Sequence, residues 1–141
     1  MGQNERMLRI GSIVMGVSDV RRAAAFWMQA LDYHPRDEIE DTWVVLVPRT
    51  ALEAGAETET ETSTGTQLAL GLSETPLQEH PRLHLDLYAR DAADQAAEVE
   101  RLISLGAQHV DWDLYPEDPD FIVLADPDGN RFCVIDTSHG S

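Results

Sequence analysis

The chain has 141 residues, enough for one compact domain or two small fused modules. Hydrophobic residues make up 43% and charged residues 26%, a globular composition that argues against wholesale disorder, collagen-like repeats and membrane spans. Acidic residues outnumber basic ones 26 to 10, a net charge of −16 that repels phosphate backbones, argues against nucleic-acid partners and favours cationic ligands. All ten basic residues are arginine, so lysine-based Schiff-base and P-loop chemistry are excluded.

The polar N-terminus shows no cleavage signal, and the apolar run from Ile10 to Val17 is too short and Gly-interrupted for a membrane helix. It reads as a strand. Ser18-Asp19 then offers a cap oxygen to a helix whose apolar positions Val20, Ala23, Ala24, Trp27 and Leu31 recur at helical spacing. A turn is expected around Asp32 to Asp37, and Trp43 to Val47 is a short strand stopped by Pro48. Residues 51–66 hold a run of alternating Glu and Thr with nothing apolar to bury, which predicts an acidic surface loop. Strand character resumes from Gln67 to Leu72.

The second half repeats this plan. Leu83 to Tyr88 alternates strictly, placing the leucines on one face and His84, Asp86 and Tyr88 on the other. Asp91 opens a helix that Gly106 closes; strands are expected at Gln108–Trp112, Phe121–Ala125 and Arg131–Ile135, the last two joined by the turn Asp126-Pro127-Asp128-Gly129-Asn130. Ser12 to Asp19 aligns with His84 to Asp91, and Gly65 to Leu70 with Gly129 to Val134. The pattern is an internal duplication of a strand–helix–three-strand unit.

Val14-Met15-Gly16-Val17-Ser18-Asp19 with Ala25-Phe26-Trp27, then His84-Leu85-Asp86-Leu87, Leu105-Gly106-Ala107 and Asp126 to Val134, in this order and spacing, resemble the vicinal oxygen chelate superfamily. That group holds glyoxalase I, bleomycin-resistance proteins, fosfomycin-modifying enzymes and extradiol dioxygenases, and the chain looks most like its bacterial glyoxalase-like branch. The resemblance spans residues 8–137. It implies an α+β fold of two tandem βαβββ modules, 8–75 and 82–137, forming one cup-shaped sheet with helices outside and a ligand inside, and a homodimer.

Family metal ligands stand on the first and last strands of each module, usually as His and Glu. The corresponding positions here are Ser12, Ala69, His84 and Cys133. His84 is a standard ligand, Cys133 stands where Glu is expected, and Asp86 shares the strand face of His84. Two donors, or three with Asp86, leave the four-position shell incomplete, so no tightly bound divalent metal is expected at the family site. His84 and Asp86 could instead do acid–base work, or simply satisfy each other as buried polar groups. Cys133 has no evident cation to activate it and reads as a small buried hydrophobe. As the one cysteine it can form no internal disulfide, which suits a reducing cytoplasm.

Three function classes follow: a cytosolic small-molecule-binding protein, a metal-dependent lyase, isomerase or dioxygenase, and a metal-free acid–base enzyme. The missing ligands favour binding without the family's metal. Parity places His84, Asp86 and Tyr88 in the cup, joined by Ser12, Gln67 and Cys133, with Trp43, Tyr115 and Phe121 as aromatic walls.

Overall fold

The structure, a computed structural model, describes residues 8–49 and 66–140. The acidic loop expected at 51–66 lies, except for Thr66, outside the described residues. The first module runs β1 (Ser12–Val17), α1 (Val20–Leu31), β2 (Tyr33–Pro35), β3 (Trp43–Pro48) and β4 (Gln67–Leu72). The second runs β5 (Leu85–Ala89), α2 (Ala92–Leu105), β6 (Gln108–His109), β7 (Phe121–Ala125) and β8 (Arg131–Asp136). Each module is βαβββ, in a four-stranded sheet of order β1-β4-β3-β2 or β5-β8-β7-β6. First and last strands pair in parallel, β1 with β4 and β5 with β8; the remaining pairs are antiparallel.

The registers bear out the duplication. Val14 lies opposite Ala69 in the first sheet, and Asp86 opposite Cys133 in the second. The expected single cup-shaped sheet is built from two sheets with no strand pairing between them, because each parallel pair ends in an edge strand, β1 or β5.

Both helices start as the sequence predicts, with Asp19 accepting from the Arg22 N–H and Asp91 from the Asp94 N–H. Gly106 closes α2 at φ 125°, a conformation open to glycine. Three elements differ from expectation. The turn after α1 contains the short edge strand β2, where Pro35 is tolerated because an edge can forgo one ladder donor. The strand expected at Gln108–Trp112 stops at His109, since the Trp112 N–H turns back to the Val110 carbonyl. Leu83 was expected on the helix-covered face with Leu85 and Leu87, but it precedes β5 and is 71% exposed.

The helix-facing strand residues Leu46, Leu68, Leu70, Leu124, Phe132 and Val134 pack with Trp27, Phe26 and Leu102 into one core shared by both modules. Trp27 of α1 meets Phe132 of β8 edge-to-face at 5.1 Å, and its Nε1–H donates to Asp126 at 3.0 Å. Second-module side chains hold both ends of α1. Asp128 Oδ1 accepts from the Ser18 and Asp19 N–H groups at its start, and the Arg101 guanidinium donates to the Gln29 and Ala30 carbonyls at its end. Each charge complements the helix dipole where it sits.

The Asp128 side chain is 1% exposed. Burial pushes its carboxyl up, but hydrogen bonds from the Ser18 hydroxyl and Arg22 outweigh that and hold it below the ordinary 3.8. A folded value below the unfolded one gives stability that is present above about 3.8 and lost as pH falls through the folded value. Asp128→Asn is therefore expected to cost about 1–2 kcal/mol at neutral pH and progressively less in strong acid. Urea unfolding midpoints of the two proteins across the acid range check this; a constant gap would refute it.

Candidate functional site

The concave face of the second sheet carries the chemistry. Strand parity and register put Asp86, Cys133 and Val123 in one row across β5, β8 and β7, and Tyr88, Ile135 and Phe121 in the next. His84 precedes β5 on the same side as Asp86. A pair at i and i+2 on a strand need not touch, but here His84 Nε2 lies 3.0 Å from Asp86 Oδ1. Both side chains are 45% exposed, so this is an open polar pair and not a buried structural one. The Cys133 thiol, opposite Asp86 in the register, lies within 4.8 Å of the polar atoms of both side chains. Burial first, then the charges of Asp86 and Asp120, push that thiol up to about 11. The thiolate is scarce at neutral pH, which agrees with the reading of Cys133 as no nucleophile.

These residues floor a cavity of about 700 Å³, whose wall includes Tyr88, Trp112, Leu114, Phe121 and Ile135, with Asp120, Asp136, Thr137 and His139 towards one end. His84, Asp86, Tyr88, Phe121 and Cys133 are thus brought together. Ser12, Trp43, Gln67 and Tyr115 are not among its lining residues. Gln67 is buried in β4, opposite Ser12 of β1, and accepts from Arg36. Trp43 lies across Gly71 on the first sheet, where an added Cβ would come within 3.3 Å of the indole. Tyr115 stacks on Phe121, and its hydroxyl takes the Val123 N–H that the shortened β6 leaves unpaired. Tyr115 therefore braces Phe121 without itself lining the cavity.

Sequence reasoning missed Trp112, Asp120, Asp136, Thr137 and His139. Parity along β8, continued from Cys133 through Ile135, reaches Thr137; Asp136 is the last residue of β8, and Trp112, Asp120 and His139 come from loops that only the tertiary fold brings near. Trp112 is held by His80, which packs against its ring at 5.1 Å and contacts Asp113 at 2.8 Å. His139 similarly meets Asp118 at 3.2 Å.

The corresponding positions of the first sheet are chemically blank. Val14, Ala69 and Val45 stand where the second sheet has Asp86, Cys133 and Val123, and Ala69 is fully buried in a cluster with Val45 and Val47. Of the four family ligand positions, Ala69 offers a methyl group and Ser12 only a neutral hydroxyl. The two-module metal shell does not fit these residues. A second cavity, of about 480 Å³, lies between β1 and β5 beside the 73–84 connector, lined by Met15, Trp27, Leu77 and Phe132 among others. No group of three metal-ligating side chains occurs there among the described residues.

Among the described residues no helix is long and apolar enough to cross a membrane. A comparison with curated proteins finds no match. Solved structures do match over most of the chain. A glyoxalase-related enzyme from Fulvimarina pelagi is 17% identical, with a TM-score of 0.62 over 92% of this chain and 88% of its own. A glyoxalase/bleomycin resistance protein/dioxygenase family enzyme from Burkholderia phytofirmans is 14% identical, with a TM-score of 0.64 over 90% and 97%. The fosfomycin resistance protein FosX from Listeria monocytogenes is 14% identical, with a TM-score of 0.63 over 93% and 90%. At these identities the likeness is one of fold. The profile of the glyoxalase-like domain matches residues 12–135, nearly the whole duplicated unit, and the chain belongs to that family, within the vicinal oxygen chelate superfamily.

Proposed function

We propose that the protein binds a small organic cation in the cavity over the second sheet, without the family's two-module metal shell. The observation that carries this reading is the lining: the carboxylates of Asp86 and Asp120 beside the rings of Tyr88, Trp112 and Phe121, with no arginine among the lining residues. Carboxylates attract a positive head group, and aromatic faces hold both a cation and its apolar body. The volume, about 700 Å³, falls in the range of small-molecule sites. The protein acts in this reading as a cytoplasmic binder that sequesters its ligand, working as a homodimer; sedimentation at micromolar concentration tests the dimer.

Calorimetric titration with a panel of ammonium compounds and matched carboxylates tests the ligand class. The cations are expected to bind, more weakly as salt rises. Asp86→Asn should lower their affinity about tenfold, the effect of losing one charge-assisted contact. Tighter binding of the carboxylates would sink the proposal.

A second reading, metal-free acid–base chemistry, draws on the 3.0 Å contact of His84 with Asp86. The carboxylate would fix the imidazole's orientation while the other ring nitrogen exchanges a proton with a bound molecule. Turnover of a bound compound that Asp86→Asn slows and His84→Ala abolishes would favour it over simple binding.

A further inference from the structure

We propose that the cavity between β1 and β5 is a second ligand site, which takes a small neutral carboxamide or lactam on an apolar body. Among the described residues two buried side-chain polar atoms lack a hydrogen-bond partner, Asp128 Oδ2 and Arg131 Nε, and both residues line this cavity. The donors that Asp128 gathers all go to Oδ1: the Ser18 hydroxyl and N–H, the Asp19 N–H and Arg22 Nη2, at 2.6–3.1 Å. The side chain is 1% exposed, too buried for bulk water to serve the second oxygen. Arg131 is anchored through Nη1, which donates to the Gly129 carbonyl at 2.8 Å and leaves Nε–H as a fixed donor. A buried polar atom left unserved costs more than an ordinary hydrogen bond contributes, so a ligand that serves both gains affinity from each.

The two atoms select the ligand because they are complementary. A carboxylate oxygen accepts and a guanidinium N–H donates. An amide offers the opposite of each, an N–H and a carbonyl, in one neutral group. Charge disfavours either ion, since Arg82 and Arg131 oppose a cation while Asp128 opposes an anion. The apolar wall of Met15, Trp27, Leu77 and Phe132 holds the body, and about 480 Å³ suits a molecule of small aromatic size. Leu77 of the connector lies against Gly129, where an added side chain would collide with it. The connector is thus seated on the turn between the two polar residues.

This site is distinct from the cavity over the second sheet, with which it shares His84 alone of its lining. The three tryptophans tell the two apart: Trp27 lines this cavity, Trp112 the other, and Trp43 neither. Full-length protein labelled with nitrogen-15 is titrated with benzamide while the three indole N–H resonances, assigned with Trp43→Phe and Trp112→Phe, are followed by NMR. Benzamide is expected to shift the Trp27 resonance to saturation and to leave Trp43 in place. N,N-Dimethylbenzamide keeps the ring and the carbonyl but has no N–H for Asp128, and should bind about tenfold or more weakly. Arg131→Met removes the Nε donor and should weaken benzamide binding by about tenfold. If that variant does not fold, the comparison of the two amides on the unchanged protein decides by itself. The proposal is overturned if benzamide fails to shift Trp27 saturably, if the two amides bind equally, or if folded Arg131→Met binds benzamide as the unchanged protein does. A parallel titration with benzylammonium, read at Trp112, tests the organic-cation reading alone, so either proposal can fail without the other.

Discussion

Trp27→Ala is expected to cost about 3–5 kcal/mol, a large share of the roughly 5–15 kcal/mol that holds an ordinary domain folded. Trp27 is fully buried, and its indole meets Phe26 at 5.0 Å and Phe132 at 5.1 Å in edge-to-face contacts. Removing it opens a cavity where α1 packs on the second sheet, and strands the Asp126 carboxylate oxygen that the indole N–H satisfied. Trp27→Phe separates these two losses. It keeps most of the ring packing and removes only the N–H, so a smaller loss of about 1–3 kcal/mol is expected. Chemical denaturation followed by far-ultraviolet circular dichroism measures both. A change under about 1 kcal/mol for Trp27→Ala would mean that the modules are not joined through this side chain.

Asp126→Ala is expected to destabilise by about 2–4 kcal/mol, because one buried carboxylate serves three donors. It accepts the Trp27 indole N–H at 3.0 Å and the Asp128 and Asn130 backbone N–H groups at 3.0 and 2.8 Å. Asparagine is no remedy here. Its amide offers one oxygen, so it serves either the indole or the two backbone donors and points N–H groups at the others. Asp126→Asn should therefore recover only part of the loss. Burial pushes the Asp126 carboxyl up, opposite to Asp128 in the same turn. A raised folded value gives stability that is complete below the unfolded 3.8 and lost as pH rises through the folded value. Neutral variants at this position should thus lose relatively more in acid than near neutrality. Comparison of wild-type and Asp126→Asn midpoints across that range reads the sign directly; the opposite trend would contradict the burial argument. A double-mutant cycle with Trp27→Phe isolates the indole–carboxylate term.

Much of the fold was legible because its signals are local. Helical spacing from Val20 to Leu31 and the Asp19 and Asp91 caps gave helix starts that the structure keeps. Strict alternation around His84 and Asp86 gave the polar face of β5 directly, since a strand's period of two leaves no other choice. The short strands were harder. A three-residue edge such as β2 has too few positions for a period, and β6 ends by a backbone hydrogen bond that composition does not encode.

The sequence by itself determined the duplicated βαβββ plan, the apolar and polar faces of each strand and the gaps at Ser12 and Ala69, because each depends on residue type and spacing along one segment. Only the tertiary structure decided which polar residues meet. It closed His84 onto Asp86, which strand spacing left open, and brought Trp112, Asp120 and His139 from loops to the cavity. It also turned Asp126-Pro127-Asp128-Gly129-Asn130 from a simple turn into the joint between modules, where Asp128 holds the start of α1 and Asp126 the Trp27 indole. Trp27 and Asp126 lie 99 residues apart in the chain. Contacts of that range come from docking two separately patterned modules, and neither module's periodicity carries information about the other's surface.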